Sequence, residues 1–318
     1  MNIEITIGKT RCVDLKIKIN AGSRIHLGFI DPLGVSGRRW GSLGLYLNEP
    51  RLSIICEESD YIDVHGPEWL KDIVNRVSKS LEIKGLKVKC EEYIPRHVGL
   101  GSGTQTILSI GLAASKLYGL DLSLEDIALM FSRCKRSGAG YWLFQKGGLT
   151  IDSGAASPLK PPTLLFRLDF PKEWKVLLAI PNSEGLGLLG QAEEEGFKKL
   201  STRPVKDASL TILMKLLPSL IEKDFTRFTE SIEELDFLTS SFFKEIQSGA
   251  YHPVSERVVE LFRKSGLRGI GQSSWGPTIY SFIREDEVES LTSRIKPVEG
   301  FRYVLTSARN YGAEITEL

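Results

Sequence analysis

Pro95-Arg96-His97-Val98-Gly99-Leu100-Gly101-Ser102-Gly103-Thr104-Gln105 lies between a run that alternates like a strand, residues 86–93, and an amphipathic helical pattern. In that pattern Ile107, Ile110, Ala114, Leu117 and Tyr118 share one face, and Gly119 follows as a C-cap. Glycines at a strand-to-helix turn let the backbone come close to a ligand. The helix start adds N–H groups without intrahelical partners and the positive end of the dipole, both suited to an anion. Phosphate or pyrophosphate binding is one reading of the segment; an ordinary turn capped by Ser102 or Thr104 is the other. The spacing matches neither a P-loop nor a dinucleotide fingerprint.

Upstream, residues 13–19 and 51–56 are β-branched or alternating and read as further strands, with a helix over 67–81 that opens at Pro67 and repeats apolar residues every three to four positions. Downstream, Ser123 and Asp126 mark the start of a third helix, expected to run to about Cys134. The proline-rich stretch Ala155–Pro162 breaks both helix and strand, and we place a domain boundary there, giving units 1–160 and 161–318. The second unit offers a buried strand at 174–180, helical patterns near 189–200, 207–222, 224–239 and 253–265, and three more strand-like runs after residue 266. The class is α+β.

With 318 residues and 42% hydrophobic content the chain can bury a large core. Lys plus Arg number 41 against 40 Asp plus Glu, so the overall charge gives no reason to bind nucleic acid or an anionic membrane, and an anionic ligand must be met by local groups. Cys12, Cys56, Cys90 and Cys134 form no CxxC pair, which suits reduced thiols in a cytoplasmic protein. The first residues lack an uninterrupted apolar run, so neither signal peptide nor membrane span is expected.

PRHVGLGSGTQ resembles the second motif of the GHMP kinase superfamily, GSRIHLGFIDPLG at 22–34 resembles its first, and GIGQSSWGPTIYSF at 269–282 its third. The resemblance implies a GHMP-kinase-like fold: an N-terminal domain like ribosomal protein S5 domain 2, carrying the glycine-rich phosphate loop, and a C-terminal ferredoxin-like domain, with the site between them. Two departures count against a kinase. Gly103 stands where kinase loops carry a second serine, and Arg136–Trp142 holds no carboxylate where many of these kinases place an activating Asp. RIHLGFID, HVGLGSGTQ, RSGAGYWLFQKGGLTIDSG and GQSSWGP together are similar to the β-ribofuranosylaminobenzene 5'-phosphate synthase family. That resemblance implies condensation of phosphoribosyl pyrophosphate with 4-hydroxybenzoate or 4-aminobenzoate, releasing CO2 and pyrophosphate in methanopterin-type cofactor synthesis. It also implies Mg²⁺, no ATP, and a homodimer. The rival readings are an ATP-dependent GHMP small-molecule kinase and a non-catalytic phosphometabolite-binding protein.

On this reading Gly99, Gly101, Ser102, Gly103, Thr104 and Gln105 hold the phosphates, and Arg24 and Arg136, ahead of Arg38, Arg39 and Lys135, supply guanidinium or ammonium charge. His26 and His97 are catalytic candidates because imidazole titrates near neutrality; the bland alternative is a structural histidine. Asp31 is either a third catalytic group or the initiator of the DPLG turn. Gln272, Ser273 and Ser274 offer neutral donors, Ser102 and Asp152 are the metal-ligand candidates, and Trp142 with Trp275 either sandwich a benzoate ring or fill core. Residues 182–190 suggest a flap carrying Glu184.

Overall fold

The computed structural model describes residues 15–157, 159–184, 205–247 and 249–318. Two long antiparallel strands, β1 (Lys16–Asp31) and β2 (Trp40–Glu57), organise the first sheet. The strand expected at 13–19 therefore continues through the first motif as far as Asp31. Its even-spaced side chains Ile17, Ile19, Ala21, Ile25 and Leu27 enter the core, with bulges at Gly22/Ser23 and His26/Gly28 that re-aim the residues between them. β3 (Ile62–His65) and β4 (Leu86–Glu92) extend the sheet on the far side of β2, and α1 (Trp69–Ser80) links them, burying Leu70, Val74 and Val77. Each such side chain contributes about 1.5–3 kcal/mol by leaving water.

α2 (Ser102–Leu117) springs from the glycine loop, with Gly119 at φ +61° just past its end, and packs on β1 and β2. α3 (Leu124–Met130) begins with the expected Ser123/Asp126 capping box, Asp126 serving where Glu or Gln is usual. It stops short of Cys134, because Ser132 and Cys134 take φ +56° and +68°, outside helical space. The chain freed by that early stop, 132–138, forms a wall of the site before α4 (Ala139–Lys146) resumes.

β5 (Leu149–Asp152) pairs with β2, and β6 (Leu164–Leu168) pairs with β5. The proline-rich stretch thus joins two neighbouring strands of one sheet, and the chain leaves that sheet only after β6. Prolines that end a strand serve a strand-to-strand loop as well as a domain linker, and the sequence does not distinguish them. Near residue 314 the chain returns: β11 (Glu314–Glu317) pairs with β1, giving seven strands.

The second sheet has the order β10-β7-β9-β8, formed by β7 (Trp174–Pro181), β8 (Arg268–Gln272), β9 (Ile279–Arg284) and β10 (Phe301–Ser307). Helices fill the connections. α5 (Val205–Leu210) runs through a π-helical segment, Thr211–Leu216, into α6 (Leu217–Ile221); α7 (Phe225–Gln247) and α8 (Glu256–Lys264) follow before β8, and α9 (Val288–Thr292) precedes β10. Numbered within the unit, the strand order is 4-1-3-2 with crossover helices, the ferredoxin-like arrangement expected from the sequence. The helical pattern at 189–200 lies outside the described residues. No helix among the described residues is long and apolar enough to cross a membrane.

Candidate active site

The three glycine-bearing motifs meet at one carbonyl. The Gly99 oxygen accepts from Arg24 Nη1 at 3.0 Å and from Ser273 Oγ at 2.7 Å, while Ser273 Oγ in turn accepts from the buried His26 amide at 3.0 Å. Backbone bonds reinforce the junction: Arg24 N to Leu100 O at 3.0 Å and Thr278 N to Val98 O at 3.2 Å. Backbone packs on backbone here. A Cβ at Gly276 would lie 2.2 Å from Gly99 N, and one at Gly99 would lie 2.3 Å from Ser273 O. Glycine at both positions is therefore a steric requirement.

Two cavities of about 320 and 360 Å³ open on either side of this junction and share Thr104, Arg133 and Ser274 in their walls. The first is built around the start of α2, from Gly99, Gly101, Ser102 and Gly103, with Arg76, Arg96, His97 and Trp275 around it. Gly101 caps α2 in a left-handed conformation (φ +78°), leaving the Ser102 and Gly103 amides without carbonyls in the helix. His97 and Ser274, at φ +58° and +59°, are two non-glycine residues held in that sparsely populated region, both on the rim. The second cavity is lined by Arg24, His26, Phe29, Lys135, Arg136, Ser137, Gly140 and Tyr141 among others. Among the described residues, neither lining contains an Asp or Glu.

His26 is 2% exposed, lies 4.4 Å centroid to centroid from Phe29, and has no hydrogen-bond partner at either ring nitrogen. Burial, reinforced by Arg24, holds its imidazole well below the ordinary histidine range, so it is neutral. His97 is also lowered, by burial and then by Arg96, against an opposing pull from Glu184. Arg133 has a buried Nε without a partner, and burial, then Arg76, lowers its guanidinium to about 10, which leaves it charged at neutral pH. It has no glycine neighbour in the chain and no motif position, so nothing in the sequence marks it.

Other expected site residues stand elsewhere. Gln105 is fully buried; its amide accepts from Tyr46 OH and donates to Gly140 O, both at 2.9 Å, so it ties α2 to β2 and α4 rather than facing phosphate. Asp31 accepts from the amides of Gly34, Val35 and Ser36 and from the Ser36 hydroxyl, the turn-forming alternative. Burial pushes its carboxyl up, but these bonds outweigh burial and hold it below its ordinary value. Asp152 is 1% exposed and enclosed by Ser42 Oγ and the Gly138 and Gly154 amides, with burial raising it to about 6. It lines neither cavity, and no group of three His, Cys, Asp or Glu side chains among the described residues is placed to hold a metal. Of the two metal-ligand candidates, Ser102 faces the first cavity and Asp152 does not.

Gln272 faces inward as well. Its Oε1 accepts from His252 N at 2.6 Å and its Nε2 donates to Ser274 O at 3.2 Å, while its own amide donates to Asp236 Oδ1 at 2.8 Å. Asp236, buried on α7, is raised to about 7 by burial and by Glu233, against the Gln272 amide, Tyr251 and Arg263. Trp275 borders the first cavity, but Trp142 donates to Pro162 O at 2.7 Å behind Tyr141, so the two do not form a sandwich. Arg38 and Arg39 bond backbone carbonyls of Ser153 and Pro32 and line neither cavity. Glu184 is exposed and borders a separate cavity with Glu49 and Arg51; residues 185–190 lie outside the described residues.

Comparison with known proteins agrees with this architecture. The GHMP kinases N terminal domain matches residues 68–141 and the GHMP kinases C terminal domain residues 216–297. A "Beta-ribofuranosylphenol 5'-phosphate synthase" of Archaeoglobus fulgidus is 33% identical over 94% of this chain and 99% of its own length. Its namesake from Methanothermobacter thermautotrophicus is 30% identical over 94% and 98%. Among solved structures, homoserine kinase from Cytophaga hutchinsonii superposes with a TM-score of 0.64 at 14% identity, covering 99% of this chain and 100% of that one, a likeness of fold.

Proposed function

The chain belongs to the β-ribofuranosylphenol 5'-phosphate synthase family, and from that premise we propose that it transfers the phosphoribosyl group of phosphoribosyl pyrophosphate to 4-hydroxybenzoate with release of CO2 and pyrophosphate. The relatives' name specifies a phenol product, which favours the hydroxy acid over 4-aminobenzoate. The observation that carries the reading is the pair of adjoining cavities lined by cations and, among the described residues, by no carboxylate. A substrate pair with a diphosphate, a second phosphate and a carboxylate needs such a surface. An acceptor hydroxyl of a kinase would find no carboxylate base among the described residues of either lining.

The bond from ribose C1 to the diphosphate oxygen breaks, and its electron pair leaves with pyrophosphate. The ring carbon that bears the carboxylate attacks C1. The bond to the carboxylate then breaks, CO2 departs, and its electron pair restores the aromatic ring, so no net proton is consumed. The first cavity holds the diphosphate on the α2 start, with Ser102 and Thr104 hydroxyls beside the backbone amides. The second seats the aromatic acid against Phe29 and Tyr141, with Arg24 and Arg136 for its carboxylate or the 5'-phosphate. Neutral His26 accepts a hydrogen bond from the phenol hydroxyl and so raises electron density at the attacking carbon. Mg²⁺, when bound beside Ser102 in the first cavity, would neutralise charge on the departing diphosphate; in this proposal ATP has no part and the enzyme works in the cytoplasm.

The test mixes the protein, phosphoribosyl pyrophosphate, Mg²⁺ and carboxyl-labelled 4-hydroxybenzoate and follows labelled CO2, with 4-aminobenzoate in parallel. Release from the hydroxy acid without ATP is expected. A folded protein that binds diphosphate yet releases CO2 from neither acid defeats the reading.

A further inference from the structure

Arg133 stands in the wall that the two cavities share. It lines both, together with Thr104 and Ser274, and its Nε is buried without a hydrogen-bond partner. A Cβ built on Gly103 would lie 3.9 Å from Nη1 and 3.9 Å from Nη2. The guanidinium is therefore set across the first turn of α2, beside amides that have no intrahelical acceptor. A side chain longer than a methyl group at position 103 would enter the space between that turn and the guanidinium; glycine keeps it open.

A buried guanidinium nitrogen left without an acceptor costs on the order of a lost hydrogen bond, and proteins leave few such groups unless a ligand completes them. Arg76, the nearby cation, is of the same sign and stacks over Phe131 with 5.5 Å from its Cζ to the ring, so it repels rather than satisfies Arg133. Its Nη edge, set toward the first turn of α2 in the wall common to both cavities, is placed to meet an anion there.

We propose that Arg133 is the leaving-group residue: it binds the diphosphate at the end next to ribose, and stabilises the oxygen that takes the electron pair when the bond to C1 breaks. This rests on the reading of the first cavity as the diphosphate seat and the second as the acceptor seat. It adds to that reading the group that spans them. Arg133 donates to charge that grows in the transition state, so its removal lowers kcat more than it raises the KM for the aromatic acid.

Inorganic pyrophosphate is the probe. Calorimetric titration of the wild-type chain and of Arg133→Gln and Arg133→Lys, each with its melting temperature recorded, is followed by steady-state rates. Arg133→Gln is expected to weaken pyrophosphate binding about 10- to 100-fold, as for one charge-assisted pair, with melting and aromatic-acid KM close to wild type; Arg133→Lys falls between. Guanidinium chloride at low millimolar concentration is expected to recover part of the kcat of Arg133→Gln, which loss of a packing strut would not allow. Wild-type affinity for pyrophosphate in both variants overturns the assignment to Arg133 while leaving the diphosphate seat intact. No pyrophosphate binding by the folded wild-type chain overturns both.

Discussion

Ser273 donates its hydroxyl to the Gly99 carbonyl at 2.7 Å, joining two residues 174 positions apart in the chain. Ser273 Oγ also accepts from the His26 amide, so one hydroxyl fastens the second sheet's turn to the phosphate loop and to β1. Ser273→Ala leaves a buried amide and half of a carbonyl's bonding unmet, an expected loss of about 1–3 kcal/mol. Gly276→Ala pushes a methyl group into Gly99 and should be worse, since neither backbone can yield. Differential scanning calorimetry of the two variants tests the order; a Gly276→Ala protein as stable as wild type would contradict the packing described.

Gln105 separates architecture from ligand contact. Gln105→Leu strands Tyr46 OH and Gly140 O in the core, so a loss of about 1–3 kcal/mol in stability is expected. The KM for phosphoribosyl pyrophosphate should change less than twofold below the melting transition. A tenfold rise in that KM with unchanged stability would return Gln105 to the phosphate site.

His26 titrates below its ordinary value in the folded chain and near 6.5 when unfolded. The unfolded chain therefore takes up the extra proton first, and the contribution of His26 to stability is present above about pH 6.5 and is lost as pH falls. His26→Gln should flatten the wild-type decline in melting temperature between pH 7 and 5. It should also lower kcat about 10- to 100-fold, the scale of one acid–base contact. Identical pH slopes in the two proteins would show that the imidazole is not held neutral.

Asp236 shifts the other way, to about 7. Its protonated form is favoured by folding, so its contribution is complete below the unfolded value of about 4 and is lost as pH rises through 7. Asp236→Asn keeps an oxygen for the Gln272 amide and removes the ionisation. The variant is expected to gain on wild type by up to about 4 kcal/mol at pH 8 and by much less at pH 5, read from denaturant unfolding at the two pH values.

Much of this was legible from local signals. The glycine loop, α1, α2 and the capping box at Ser123 follow from spacing and end residues, and the ferredoxin-like arrangement of the second unit was implied by the family resemblance that the three motifs carry. The partners of β6 and β11 were not legible, because pairing in a sheet is non-local and a short alternating run does not say which edge it joins. Within the site, motif membership named Gly99, Ser102, Thr104 and Ser274 for the cavities but misplaced Gln105 and Asp152: it cannot tell which way a side chain points once a helix or strand turns it inward. Arg133 carried no motif, and only the early end of α3 brings it to the junction.

The return of β11 to pair with β1 has a consequence for synthesis on the ribosome. On β1 the edge at Ile17–Asn20 is covered only when residues 314–317 have been made, and further along the strand the His26 amide waits for the hydroxyl of Ser273, as does the tie from Ser273 to Gly99. The nascent first sheet therefore emerges with an open edge and an unformed site, and a polypeptide halted anywhere before Ser273 is an inert intermediate with strand backbone exposed to its neighbours.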